Sequence, residues 1–156
     1  MSPIVTVIRP LNGATLPAIQ PGEERRAAKK VSAQVTKWAM RCWSESVRLA
    51  PLGPTTAKRV GGRLRGGLWF KPLDPTDMAW KIGTNVRSDP SPSWPQGYFY
   101  PLQQEFQEAF LHPRGGTWGY LRKPVKEAAP QIEADCVRAY LSAFDEINAQ
   151  MFPGKK

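Results

Sequence analysis

Apolar residues recur along this chain with two periods, and the longer period marks two helices. Between Glu23 and Ala50, the residues Ala28, Val31, Val35, Trp38, Cys42 and Leu49 fall three, four and seven apart, which gathers them on one helix face. Pro21-Gly22 punctuates the start, and Glu23 and Glu24 put carboxylates at the positive end of the helix dipole. Pro51 stops the helix just after Arg48-Leu49-Ala50. Trp38 and Trp43 are read as packing of this helix on a sheet, in preference to a stacking platform for bases. A second long helix is predicted from Pro124 to about Met151, where Val125, Ala129, Ile132, Cys136, Tyr140, Phe144, Ile147 and Met151 recur at spacings of three and four. Pro130 falls inside it and is expected to kink it or delay its start, because it removes one backbone donor.

Shorter periods lie between the helices. Leu64 to Leu73 reads as a strand with Leu68 and Phe70 on one face and Trp69 on the other, weakened or bulged at Gly66-Gly67. Asp74-Pro75-Thr76-Asp77 then makes a turn into Met78-Ala79-Trp80-Lys81-Ile82, so an antiparallel hairpin is expected. At the front, Ile4-Val5-Thr6-Val7-Ile8 is β-prone and surrounded by prolines. It is read either as an edge strand of the main sheet or as an arm reaching a neighbouring subunit. Residues 51 to 67, Ser88 to Gly97 and His112 to Gly119 are rich in Pro and Gly and read as loops. Tyr98 to Leu102 is extended or briefly helical, and Phe106 and Phe110 follow at helical spacing.

With 156 residues and 41% hydrophobic content, the chain is long enough for one domain with a core that needs neither metal nor disulfide. The expected organisation is an extended arm over 1–22, a single domain over 23–152 and a short basic tail over 153–156. No run approaches the roughly 18 apolar residues of a membrane span, and the first 20 residues do not resemble a signal peptide. The expectation is a soluble, non-secreted protein with no membrane partner. Cys42 and Cys136 belong to no CxxC pair and read as buried thiols. With His112 the only histidine, His-rich metal sites, most Ser-His-Asp arrangements and HExxH sites drop out, and no metal, cofactor or catalytic residue is assigned.

Charge changes the picture more than composition does. The net charge is +9, yet residues 1–71 hold 13 Lys and Arg against 3 Asp and Glu, while residues 72–156 hold 9 against 10. Such asymmetry suggests an anionic partner, either nucleic acid or an acidic protein surface. Lys58, Arg59, Arg63 and Arg65, set among glycines that let the backbone approach a phosphate or a protein neighbour, form the strongest electrostatic cluster. A solvated basic loop is the bland reading of the same residues. Six tryptophans in this length add to the case for an interface, since aromatics and Arg are enriched at interface cores. A Mg²⁺-dependent nuclease would have Asp74, Asp77 and Asp89 as loop carboxylates, but these read better as turn formers beside prolines.

Taken in order, the segments carry a resemblance. A helix closing in Ala50-Pro51, the loop Gly62-Arg63-Leu64-Arg65, a strand, Ile82-Gly83-Thr84, aromatics before Glu105-Phe106, and Gly119-Tyr120-Leu121-Arg122 leading through a proline into a last helix together resemble the head-tail joining or neck family of long-tailed bacteriophages, the tail-completion proteins. The similarity runs over about residues 27 to 145. This chain has Gly61-Gly62 where the family pattern has Thr-Gly, Gln107 where it has glycine, and Lys123 between Arg122 and Pro124. The resemblance implies an α+β fold: an antiparallel sheet with a long N-terminal helix and a C-terminal helix packed on it, long Pro/Gly loops and an extended N-terminal arm. It implies a structural virion protein without enzymatic activity, assembled in the host bacterial cytoplasm. The protein would form a hexameric or dodecameric ring at the head-tail junction or the top of the tail. Expected partners are further copies of itself, the neighbouring head-completion or portal-adaptor and tail proteins, and packaged DNA in the channel. On this reading Lys58, Arg59, Arg63 and Arg65 meet a subunit, a partner or the DNA channel, and Tyr98, Tyr100, Glu105, Phe106 and Trp118 lie at subunit interfaces. The alternative is a stand-alone nucleic-acid-binding protein that does not read sequence.

Overall fold

The computed structural model describes residues 4–8, 21–52, 62–73, 78–93, 95–97, 101–106 and 116–151. The fold is α+β. In chain order the elements are β1 (Ile4–Ile8), α1 (Pro21–Leu49), α2 (Arg63–Gly66), β2 (Leu68–Pro72), β3 (Trp80–Thr84), α3 (Pro101–Phe106) and α4 (Arg122–Met151).

The three strands form one antiparallel sheet in the order β1-β3-β2. The expected hairpin is present as β2 and β3, with Leu68 opposite Thr84, Phe70 opposite Ile82 and Pro72 opposite Trp80. Of the two readings of Ile4 to Ile8, the structure takes the first. β1 pairs with β3 of its own chain as an edge strand, Thr6 opposite Ile82 and Ile8 opposite Trp80. The turn at 74–77 lies outside the described residues.

α1 buries Ala27, Val31, Val35, Trp38, Ala39, Cys42 and Ser46, each three or four residues from the next turn's contact. The stripe is rotated slightly from the expected one: Ala27 is inside and Ala28 is exposed. One edge of the stripe meets the sheet. Trp43 donates from Nε1 to the Leu68 carbonyl at 3.2 Å, and its ring lies 5.1 Å from Phe70, which stacks in turn on Trp80 at 5.4 Å. Such aromatic pairs each contribute about 1 kcal/mol beyond their area. The other edge meets α4. The two helices are antiparallel, since Lys30 near the start of α1 reaches Glu146 near the end of α4 at 2.6 Å, while Cys42 lies against Pro124. Trp38 therefore packs on α4 while Trp43 packs on the sheet, so the expectation of sheet packing holds for only one of the two tryptophans.

Asp135 ties this helix pair together. Its carboxylate accepts from Gln34 Nε2 and Trp38 Nε1 on α1, both at 3.1 Å, and from Gln131 Nε2 on its own helix at 2.9 Å. These hydrogen bonds, led by those from Gln131 and Trp38, hold its carboxyl below the ordinary value. Cys42 and Cys136 are free, buried thiols, and burial pushes both up to about 11.

Two local expectations are corrected. The strand expected from Leu64 begins at Leu68, and Arg63 to Gly66 form one helical turn, closed by Gly66 N–H on Gly62 O and Gly67 N–H on Arg63 O, both at 3.0 Å. Burial of Leu64 under that turn outweighs the strand propensity of its neighbours. Pro130 does not delay α4, which runs unbroken from Arg122. The proline sits on an exposed face, where water can satisfy the carbonyl that loses its partner.

Candidate functional site

Four of the segments singled out in the sequence, Ala50-Pro51, Gly62-Arg63-Leu64-Arg65, Glu105-Phe106 and Gly119-Tyr120-Leu121-Arg122, converge at one joint, where α1 ends and α4 begins. α1 ends at Ala50-Pro51, and Pro51 has no N–H with which to close a backbone cap. Its last carbonyls are satisfied from elsewhere in the chain. Arg65 donates from Nε to Ala50 O at 2.9 Å and from Nη2 to Arg48 O at 3.0 Å, and Thr117 N–H donates to Leu49 O at 2.8 Å. The approach is close: at Gly116, with φ 102°, a Cβ would stand 2.4 Å from Pro51 Cα, so no side chain fits.

The start of α4 is held in the same way. Glu105, at the end of α3, is 1% exposed. Its two carboxylate oxygens accept the N–H groups of Leu121 at 2.9 Å and Arg122 at 3.1 Å, and its own carbonyl accepts from Gly119 N–H at 3.0 Å. α4 has no acid in its own first turn, and Glu105 supplies one across 16 residues of sequence. Burial raises the Glu105 carboxyl above its ordinary value, and the two backbone donors with Arg122 and Lys123 pull it only part of the way back. Glu105, expected at a subunit interface, is thus enclosed within its own chain.

The aromatic residues beside it are open to solvent. Phe106 is 52% exposed, and the Arg122 guanidinium lies 4.8 Å from its ring and 5.4 Å from that of half-buried Trp118. Lys123 Nζ stands 3.9 Å over the other part of this cluster, the Trp118 ring. Phe106 and Trp118 therefore flank Arg122 on the surface of the joint. Tyr98 and Tyr100 lie outside the described residues.

Of the basic cluster, Lys58 and Arg59 also lie outside the described residues. Arg63 is exposed and bonds Asp89 at 2.7 Å, so Asp89 serves an ion pair. Arg65 is the cap just described. Both described arginines of the cluster are engaged within the chain.

Further exposed positive charge lies on α1. Lys29, Ala33, Lys37, Met40, Ser44 and Arg48 recur at three and four residues, are all exposed, and include no acid. Arg48 pairs with Glu45 one turn back, while Lys29 and Lys37 have no ionic partner among the described residues. Sequence reasoning missed this face, although the expected buried stripe implied it: the opposite side of the same helix could have been read off by projection. α4 presents a different outward stripe, Glu127, Pro130, Ala134, Val137, Leu141 and Asp145, apolar in the middle and acidic at both ends. Val137 and Leu141 are 42% and 56% exposed, and Met40 on α1 is 53% exposed.

No group of three or more His, Cys, Asp or Glu that could hold a metal occurs among the described residues, and no helix among them is long and apolar enough to cross a membrane. No protein-family model, curated protein or solved structure matches this chain.

Proposed function

We propose that this protein is a structural, non-enzymatic component of a long-tailed bacteriophage virion, forming a ring at the head-tail junction that joins the DNA-filled head to the tail. What carries the reading is the ordered motif set Ala50-Pro51, Gly62-Arg63-Leu64-Arg65, Glu105-Phe106 and Gly119-Tyr120-Leu121-Arg122. The α+β fold supports it, being the architecture the resemblance implies. The meeting of those motifs at one joint supports it further, because each residue type then has a mechanical reason to be there. A structural role also accords with two outward helix faces of different character, as a head-to-tail ring contact requires.

Native mass spectrometry at near-physiological salt, paired with negative-stain images, tests the proposal. A species of six or twelve copies with ring-shaped particles is the expected result, alone or on a portal or tail template. A chain that stays monomeric with such templates, and binds duplex DNA with an affinity falling steeply in salt, would replace this reading with the stand-alone nucleic-acid binder. The exposed cations of α1 are the observation that keeps that second reading in view.

A further inference from the structure

We infer that the outward face of α1 lies against the phosphate backbone of duplex nucleic acid. The inference goes beyond the ring reading, which leaves the DNA contact unplaced, and concerns a face of the single chain. From residue 25 to residue 49 the helix carries seven Lys and Arg against one acid, Glu45. Lys29, Lys37, Arg41 and Arg48 are all exposed, and with Ala33, Met40 and Ser44 they fall on one side of the helix at spacings of three and four. Glu45 pairs with Arg48, which leaves the positive excess with Lys29, Lys37 and Arg41. Asp135 and Glu146 reach α1 from α4 along the seam, at Gln34, Trp38 and Lys30.

The make-up of the face selects a duplex among anionic partners. Lys29 and Arg48 are 19 positions apart, roughly 28 Å along the helix, a length over which a duplex presents about 16 phosphate charges. Cations at any register of that line meet an anion, whereas an acidic protein would have to match them position by position. Ala33 and Ser44 are short and let the helix come close to the backbone. Arg41 lies with its guanidinium 4.8 Å over the buried Trp38 ring, which holds the side chain and leaves its in-plane N–H groups for phosphate oxygens. The face has no exposed aromatic ring on which an unpaired base would stack, and no Asn or Gln to read an adenine edge. Its partner is therefore the backbone of a duplex, held without regard to sequence.

Fluorescence anisotropy of the full chain with a labelled mixed-sequence duplex of about 24 base pairs tests the inference. The wild type should bind at about 50 mM salt, with log affinity falling linearly in log salt. Lys29→Gln with Lys37→Gln removes two phosphate contacts. It should lower the salt slope by about two and weaken binding at least tenfold at about 100 mM salt. The melting temperature should not change, since both positions are exposed and Gln suits a helix. Lys71→Gln with Lys126→Gln makes the same change in net charge at exposed positions on β2 and α4, and should stay within about threefold of the wild type. A single strand of the same length should bind more weakly than the duplex.

Failure of the wild type to bind the duplex at about 50 mM salt would overturn the inference. So would an α1 variant that binds as the wild type does, or a β2 and α4 variant that loses as much as the α1 variant, because attraction would then follow net charge alone. Equal affinity for the single strand removes the duplex, and displacement of the duplex by polyglutamate at equal charge concentration makes the partner an acidic protein. Native mass spectrometry of the same samples reads assembly separately. Species of six or twelve copies without duplex binding would remove this face and leave the ring reading standing. Binding that depends on Lys29 and Lys37 in a chain that never forms rings, with or without a template, would uphold the face and remove the ring.

Discussion

The joint between α1 and α4 and the outward faces of the same two helices differ in one respect that matters for function. At the joint the ends of both helices find partners inside the chain: Arg65 on the carbonyls of Arg48 and Ala50, the Thr117 amide on that of Leu49, Glu105 on the amides of Leu121 and Arg122. On the outward faces, Lys29, Lys37, Met40, Val137 and Leu141 reach solvent. The residues with the most distinctive local pattern hold the fold, and those with the plainest helical spacing are free to hold a partner.

Substitution separates the two regions, beginning with the largest effect. Gly116→Ala puts a methyl group 2.4 Å from Pro51 Cα at φ 102°, and should cost about 3–4 kcal/mol, read as a fall in the denaturant midpoint. Glu105→Ala leaves two amides at the start of α4 without their acceptor and should cost about 3 kcal/mol, with early loss of amide-exchange protection at Leu121 and Arg122. Arg65→Ala frees two carbonyls that water can partly reach, so about 1–2 kcal/mol is expected in the same unfolding measurement. Lys37→Glu, by contrast, should change stability by no more than about 0.5 kcal/mol. A larger loss there would mean that the α1 face is already engaged within the chain, and the comparison would fail.

Acid sharpens the contrast between the joint and the seam where α1 meets α4. Asp135 in the seam is held below its ordinary value, so its contribution is complete above the unfolded value near pH 4 and is lost as pH falls through the folded one. Glu105 is raised, so its contribution is complete below the unfolded value and is lost as pH rises through the folded one. Asp135→Asn should therefore flatten the acid limb of a stability profile, and Glu105→Gln the limb just above it. If both variants flattened the same limb, one of these two environments would be misassigned.

Some of this was legible in the sequence and some was not. Periodicity located both long helices, and alternation with turn residues located the β2-β3 hairpin, because each depends on neighbours within a few positions. Burial of Cys42 and Cys136 followed from their places in the helical stripes. Leu64 misled because one turn of helix and the start of a strand look alike over four residues, and only the core beneath Leu64 decides between them. Ala27 in place of Ala28 is a rotation too small for spacing to resolve. At the candidate site, the positive excess of the first half was evident from counting, but its place was read as the loop at 58–65. The described part of that loop turns its arginines to Asp89 and to the end of α1.

The sequence by itself determined two amphipathic helices, a hairpin and a charge imbalance, since these are sums over local positions. Tertiary structure alone decided which charged residues are engaged within the chain. Glu105 and Leu121 are 16 positions apart, Arg65 and Ala50 15, and Trp38 and Asp135 97. No local period relates such pairs. A carboxylate becomes a helix cap and an arginine a clasp only when the chain closes and leaves backbone groups there that water no longer fully serves.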